Sequence, residues 1–172
     1  VSVPAPGNVL RYLRAKGSVD ARAVNTRVRD AFTEALAEWP VDRALRVLEV
    51  GGGAGGAFPY WMGLLAPFRR VEFTATDRDV HLLKAYREQI RSWADNSGLQ
   101  KAGDTAERLC YKGDGRIMEV RLRQAEAPEG FGEQDEAAFD LLMAQSFWDL
   151  VPPGTAFSLG RRLIAPGGIF YG

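Results

Sequence analysis

The sequence predicts an α/β fold in which a mostly parallel central sheet lies between helical layers. Two observations carry this expectation. Short apolar runs rich in branched residues alternate with stretches of helical periodicity, as strands joined by crossover helices require. The first such run, Leu45 to Val50, leads directly into glycines, the signature of a buried strand ending in a tight turn. At 172 residues the chain is long enough for one domain with a substantial core.

Residues Asn8 to Trp39 read as two helices, with Val24, Val28, Phe32 and Leu36 recurring every four residues and Asn8, Ser18 and Asp20 suited to capping. Pro40 closes this region. After the first strand and its glycines, Phe58 to Leu65 forms a helix that Pro67 ends, and Val71 to Asp77 forms the second strand. Asp79 starts a helix whose apolar positions Val80, Leu83, Tyr86, Ile90 and Trp93 step by three or four, the stripe of a helix lying on a sheet. Asn96-Ser97-Gly98 closes it. Ile117 to Gln124 mixes apolar positions with Glu119, Arg121 and Arg123, giving a strand with one wetter face. An acidic, glycine-containing loop from Glu126 to Glu136 precedes a buried strand, Phe139 to Ala144. A helix from about Thr155 to Leu163 follows, and Pro166-Gly167-Gly168 turns the chain into a strand at Ile169-Phe170-Tyr171. There is no internal repeat.

Composition narrows the function classes. Twenty-two basic residues balance twenty-two acidic ones, so no global field favours nucleic acid or an anionic membrane. The basic residues Arg11, Arg14, Lys16, Arg22, Arg27 and Arg29 are offset by Asp20, Asp30 and Glu34, which makes a solvated helical face the simpler reading. The lone Cys110 excludes an internal disulfide and a thiolate cluster, and suits a reducing compartment, so a cytoplasmic protein without a bound metal is expected. No apolar run is long enough to span a bilayer. The chain starts at Val1 and stops inside a predicted strand, so it reads as a fragment or as the ordered part of a longer protein.

Chemistry concentrates in Glu49-Val50-Gly51-Gly52-Gly53-Ala54-Gly55-Gly56. Glycines let the backbone turn sharply and approach a ligand closely, and the following helix offers N–H groups. Gly51-x-Gly53-x-x-Gly56, with Asp77 some twenty residues on, also satisfies the dinucleotide fingerprint. A pyrophosphate-binding loop would gain nothing from a negative charge at Glu49.

Glu49-x-Gly51-x-Gly53-x-Gly55 resembles the first motif of class I S-adenosylmethionine-dependent methyltransferases. The likeness covers roughly Leu45 to Gly172, since Ala75-Thr76-Asp77, Phe139 to Ala144 and Leu163 to Phe170 resemble the family's second, fourth and fifth strands in order. It implies a three-layer, Rossmann-like sandwich over 45–172, preceded by an N-terminal helical extension or lid over 1–44. The family's sixth and seventh strands have no counterpart before Gly172, so either the chain continues or the sheet is shortened.

The resemblance assigns S-adenosylmethionine as cofactor, held by Glu49, Gly51, Gly52, Gly53, Gly55, Asp77, Arg78, Gln124, Ala125 and Gln145. Glu49 would hold the methionine part and Asp77 the ribose hydroxyls. Gln124 stands where the family often has an acidic residue for the adenine amino group, with Glu126 competing for that role. Phe147, Trp148 and Asp149 lie where the family's substrate meets the methyl group, Trp148 as a stacking wall and Asp149 as a base, against packing of the aromatic pair in the core. His81, the sole histidine, reads as a first-turn residue near the adenosine edge or merely solvated, in preference to a catalytic group. Neither a Pro-Cys nucleophile nor an Asn-Pro-Pro-aromatic motif is present, which disfavours nucleic-acid acceptors. Three readings stand: a small-molecule methyltransferase, an NAD(P)-binding oxidoreductase domain, and a non-catalytic cofactor-binding module.

Overall fold

The computed structural model describes residues 25–145, 147 and 150–172. The first helix expected at the N-terminus, the capping candidates Asn8, Ser18 and Asp20, and Val24 lie outside the described residues. So do Arg11, Arg14, Lys16 and Arg22, together with Trp148 and Asp149.

Helix α1, Thr26–Ala37, begins at Asn25, whose side chain accepts from the Arg27 N–H at 3.0 Å. It buries Phe32 and Leu36 but leaves Val28 exposed. Strand β1, Leu45–Val50, leads through the glycine turn into α2, Phe58–Leu64. Strand β2, Arg70–Asp77, is followed by α3, Val80–Asn96, capped by Asp79. Then come β3, Gln100–Asp104, β4, Arg108–Gly113, and β5, Arg116–Gln124. Strand β6, Phe139–Met143, helix α4, Pro153–Leu163, and β7, Ile164–Tyr171, complete the order.

The strands form one sheet ordered β3-β4-β5-β2-β1-β6-β7. Strands β5, β2, β1, β6 and β7 run parallel, while β4 is antiparallel to both β3 and β5. The antiparallel pair is absent from the sequence expectation. Strand β3 reads Gln-Lys-Ala-Gly-Asp and buries almost nothing, so it carries no apolar signal. Its position comes from charge: Arg87 and Arg91 of α3 each bond Asp104, at 2.7 and 2.8 Å. Strand β4 does alternate, burying Leu109 and Tyr111 between polar neighbours.

One face of the sheet packs against α1, α2 and α3 through Val47, Phe73, Val120, Leu141, Trp61, Tyr86 and Ile90. The opposite face is covered by α4 through Leu48, Leu142, Leu159 and Leu163. Across β2 and β5 that second face stays wet: Arg70 pairs with Glu72 at 2.8 Å, and Arg108 and Arg121 share Glu119 at 3.2 Å. The connection to β6 is the predicted loop, with a short 3₁₀ turn at Glu133–Asp135 tied to Arg123 by a 2.7 Å bond.

The predicted turn at Pro166-Gly167-Gly168 is a bulge inside β7. Phe139 faces Ile164 and Leu141 faces Ile169, so three extra residues are looped out, with Gly167 at φ +79°. A Cβ on Gly168 would lie 2.8 Å from the Asp140 carbonyl, which belongs to a buried strand and has no room to retreat. Gly168→Ala is therefore expected to lower stability by about 1–3 kcal/mol, read as a lower urea midpoint at unchanged slope.

No helix among the described residues is long and apolar enough to cross a membrane, and no group of three or more His, Cys, Asp or Glu among them is arranged to hold a metal ion.

Candidate functional site at the carboxyl ends of the strands

The chain runs outward from β1 to β2 and β5 on one side, then returns to β6 and β7 on the other. The strand order therefore switches between β1 and β6, and in open α/β sheets a crevice forms outside the carboxyl ends at that place. The glycine turn leaves β1 there, and Phe147 follows β6 onto it: a Cβ at Gly51 would lie 2.5 Å from the Phe147 ring.

Gly51, Gly53 and Gly55 all adopt positive φ, +68°, +56° and +77°, conformations that side chains resist. The turn is held from below. Gly52 N–H donates to the Thr76 carbonyl at 2.9 Å, Gly53 N–H to the Asp77 carboxylate at 2.9 Å, and Gly55 N–H to the Gly52 carbonyl at 3.0 Å. The other Asp77 oxygen accepts from the Asp79 N–H at 2.9 Å. Asp77 thus ties the turn to the start of α3, and two of its four lone-pair sites remain for a ligand.

Glu49 lies beneath the turn, 3% exposed. One oxygen accepts from Trp61 Nε1 at 2.8 Å and the other from the Tyr86 hydroxyl at 2.5 Å. Burial pushes its carboxyl above the usual range; the bonds from Tyr86 and Trp61 pull it back, and the charge of Asp77 adds to the rise. Burial, the Glu49 charge and the bond to Glu49 push the Tyr86 phenol well above its ordinary value. Neither Trp61 nor Tyr86 is among the sequence-derived site residues. The available signal was their place: each is a polar-tipped aromatic on the sheet-facing side of a helix that follows a strand bearing a site carboxylate.

Gln124 ends β5 and Ala125 follows it, beside Asp77 and Arg78. Ala125 N–H donates to the Asp77 carbonyl at 3.0 Å, and Gln124 Nε2 donates to the Arg78 carbonyl at 2.9 Å, which leaves the amide oxygen as the acceptor. Arg78 itself is exposed and pairs with Glu126 at 3.5 Å. Gln145 sits half-buried in the turn after β6. Glu49, the glycines, Asp77, Arg78, Gln124, Ala125, Gln145 and Phe147 therefore share one end of the sheet. His81 is exposed in the first turn of α3, its N–H bonded to the capping Asp79. A cavity of about 1290 Å³ reaches Val80 and Gln124 but runs onto the wet sheet face, past Thr74 and Arg121.

No family model matches the chain. A stretch of 76 residues, 42% of this chain, is 37% identical to the non-reducing polyketide synthase atr1 of Stereocaulon alpinum, of which it covers 3%. The chain superposes on an S-adenosylmethionine-dependent methyltransferase from Thiobacillus denitrificans solved with S-adenosyl-L-homocysteine, with a TM-score of 0.53 and 14% identity over 99% of this chain and 55% of that one. The CMeT domain of the citrinin polyketide synthase gives a TM-score of 0.50 and 19% identity over 78% of this chain and 30% of that one. The chain thus spans about half of the first structure, under a third of the second and a small part of the polyketide synthase. Sheet order, switch point and superposition agree: this chain has the Rossmann-like fold of the class I S-adenosylmethionine-dependent methyltransferases.

Proposed function

We propose that this chain binds S-adenosylmethionine on the turn between β1 and α2 and transfers its methyl group to a small-molecule acceptor. The observation that carries the reading is the inward use of the turn. The N–H groups of Gly52, Gly53 and Gly55 are bonded to the protein itself, and a buried carboxyl lies beneath them. A pyrophosphate needs outward N–H donors and no negative charge nearby, so the nicotinamide dinucleotide reading loses support. An adenosine bearing an amino acid instead matches the residues: Asp77 for the ribose diol, Gln124 for the adenine edge, and Glu49 for the ammonium.

When bound, the cofactor would supply an electrophilic methyl on sulfonium for an acceptor's lone pair. The chain's contribution is alignment, which brings much of the acceleration in such displacements. Phe147 packs on Gly51 and in this reading walls the acceptor side. The same proposal takes residues 1–44 as an N-terminal extension or lid and the protein as cytoplasmic. A polyketide-like carbon acceptor is a second reading, favoured by the 76-residue likeness to a polyketide synthase and the superposition on a CMeT domain.

Thermal unfolding with each ligand tests the reading. S-adenosylhomocysteine at about 100 times its dissociation constant is expected to add about 2.7 kcal/mol, a rise of roughly 5–10 °C in Tm, with no rise from NAD. A rise with NAD and none with S-adenosylhomocysteine would overturn it.

A further inference from the structure

We propose that Tyr86 is a positioning residue for the methyl-donor turn: its ring supports Gly52 and Gly55 from below, and its hydroxyl holds the Glu49 carboxylate under them. The inference rests on the donor-site reading above and deepens it. A Cβ on Gly52 would lie 2.8 Å from the Tyr86 ring and 2.8 Å from Glu49 Oε2, and a Cβ on Gly55 would lie 2.7 Å from the same ring. The turn therefore rests directly on one aromatic face and one carboxylate, and only glycine allows that approach. Tyr86 is fully buried, with Phe58 edge-on to it at 5.7 Å between ring centroids. Its ring is fixed by packing, and so is the direction of its hydroxyl.

The consequence is a division of labour within one side chain. The ring sets the shape of the turn. The hydroxyl favours the charged form of a buried carboxyl, because a donor 2.5 Å away offsets part of the rise that burial causes. The titratable groups facing Glu49 are Tyr86 from α3 and Asp77 from β2; α2 presents Trp61, and its partner across the β1–β6 ladder is Met143. A negative charge there attracts the ammonium of an amino-acid-bearing ligand and has nothing to attract in one that lacks it.

Tyr86→Phe separates the two roles, since it keeps the ring and removes the hydroxyl. Calorimetry with S-adenosylhomocysteine and with 5′-methylthioadenosine, which carries the adenosine and sulfur but no ammonium, reads them out. In the variant, S-adenosylhomocysteine is expected to bind about tenfold more weakly near neutral pH, while 5′-methylthioadenosine changes by less than about twofold. The loss should deepen as pH falls from about 7.5 to about 5.5, because Glu49 without its donor protonates earlier. Equal, pH-independent weakening of both ligands would reduce Tyr86 to packing and overturn the proposal, as would unchanged binding of both. Failure of the unmodified protein to bind S-adenosylhomocysteine would instead overturn the donor-site reading on which it rests.

Discussion

Asp77→Ala is expected to weaken S-adenosylhomocysteine binding at least about a hundredfold, because two supports disappear together. The carboxylate accepts from Gly53 and Asp79 N–H groups, both at 2.9 Å. Bonds to a charged acceptor contribute about 1.5–3 kcal/mol each, and without them Gly53 loses the contact that fixes its position. The lone pairs assigned to the ribose hydroxyls go as well. Asp77→Asn is the informative companion: it can keep one N–H bond, but its amide nitrogen cannot accept the other, so an intermediate loss is expected. Calorimetric titration of the three proteins checks the ranking. Unaltered binding in Asp77→Ala would remove Asp77 from the site.

The second large effect concerns the ion cluster on β1 and β6. Asp140 is fully buried in β6 and accepts from the Arg46 backbone N–H at 2.9 Å, from Arg46 Nε and Nη2 at 3.0 and 2.7 Å, and from Arg43 at 2.5 Å. The arginines are not equally buried: their side chains are 37% and 52% exposed. Removing Arg46 leaves the buried charge with only Arg43 and one backbone N–H, whereas removing the carboxylate frees cations that water can reach. Arg46→Met is therefore expected to cost about 3–5 kcal/mol, and Asp140→Asn less. Burial alone would raise the Asp140 carboxyl, but the bonds and charges of Arg46 and Arg43 outweigh it and hold it below the usual carboxylate range. Its stabilisation is thus present above the carboxyl's unfolded-state pKa and lost as pH falls through the lower folded value. In Arg46→Met the side-chain bonds and charge of Arg46 are lost while the backbone N–H of residue 46 and Arg43 remain, so the depression is smaller and acid unfolding should begin at higher pH. Urea titrations at neutral and mildly acidic pH check both points; equal stability of Arg46→Met and the unmodified protein would contradict them.

How much of this was legible in the sequence depended on distance along the chain. Strand β1, its glycine turn and the helix on Asp79 could be read because period and turn chemistry are local signals. Asp77 was legible for the same reason, as the acid ending an apolar run before a capped helix. Strand β3 was not, since its place is set by Asp104 reaching arginines 13 and 17 residues earlier in α3. The bulge in β7 looked like a turn because Pro166-Gly167-Gly168 punctuates the chain in either case. Val28 and Val80 fit helical stripes yet are exposed, as the sheet-facing arc of each helix starts one turn later. The support of Glu49 lay furthest from view: Trp61 and Tyr86 stand 12 and 37 residues away, on helices whose apolar stripes made them look like ordinary core.

Hydrogen exchange with and without saturating S-adenosylhomocysteine tests the central claim most directly, because it reports where the ligand sits as well as whether it binds. The account predicts protection concentrated at 51–56, 77–79 and 124–126, with little change in the hairpin of β3 and β4. Absence of protection at the glycine turn, or protection confined to the wet sheet face around Thr74 and Arg121, would contradict it.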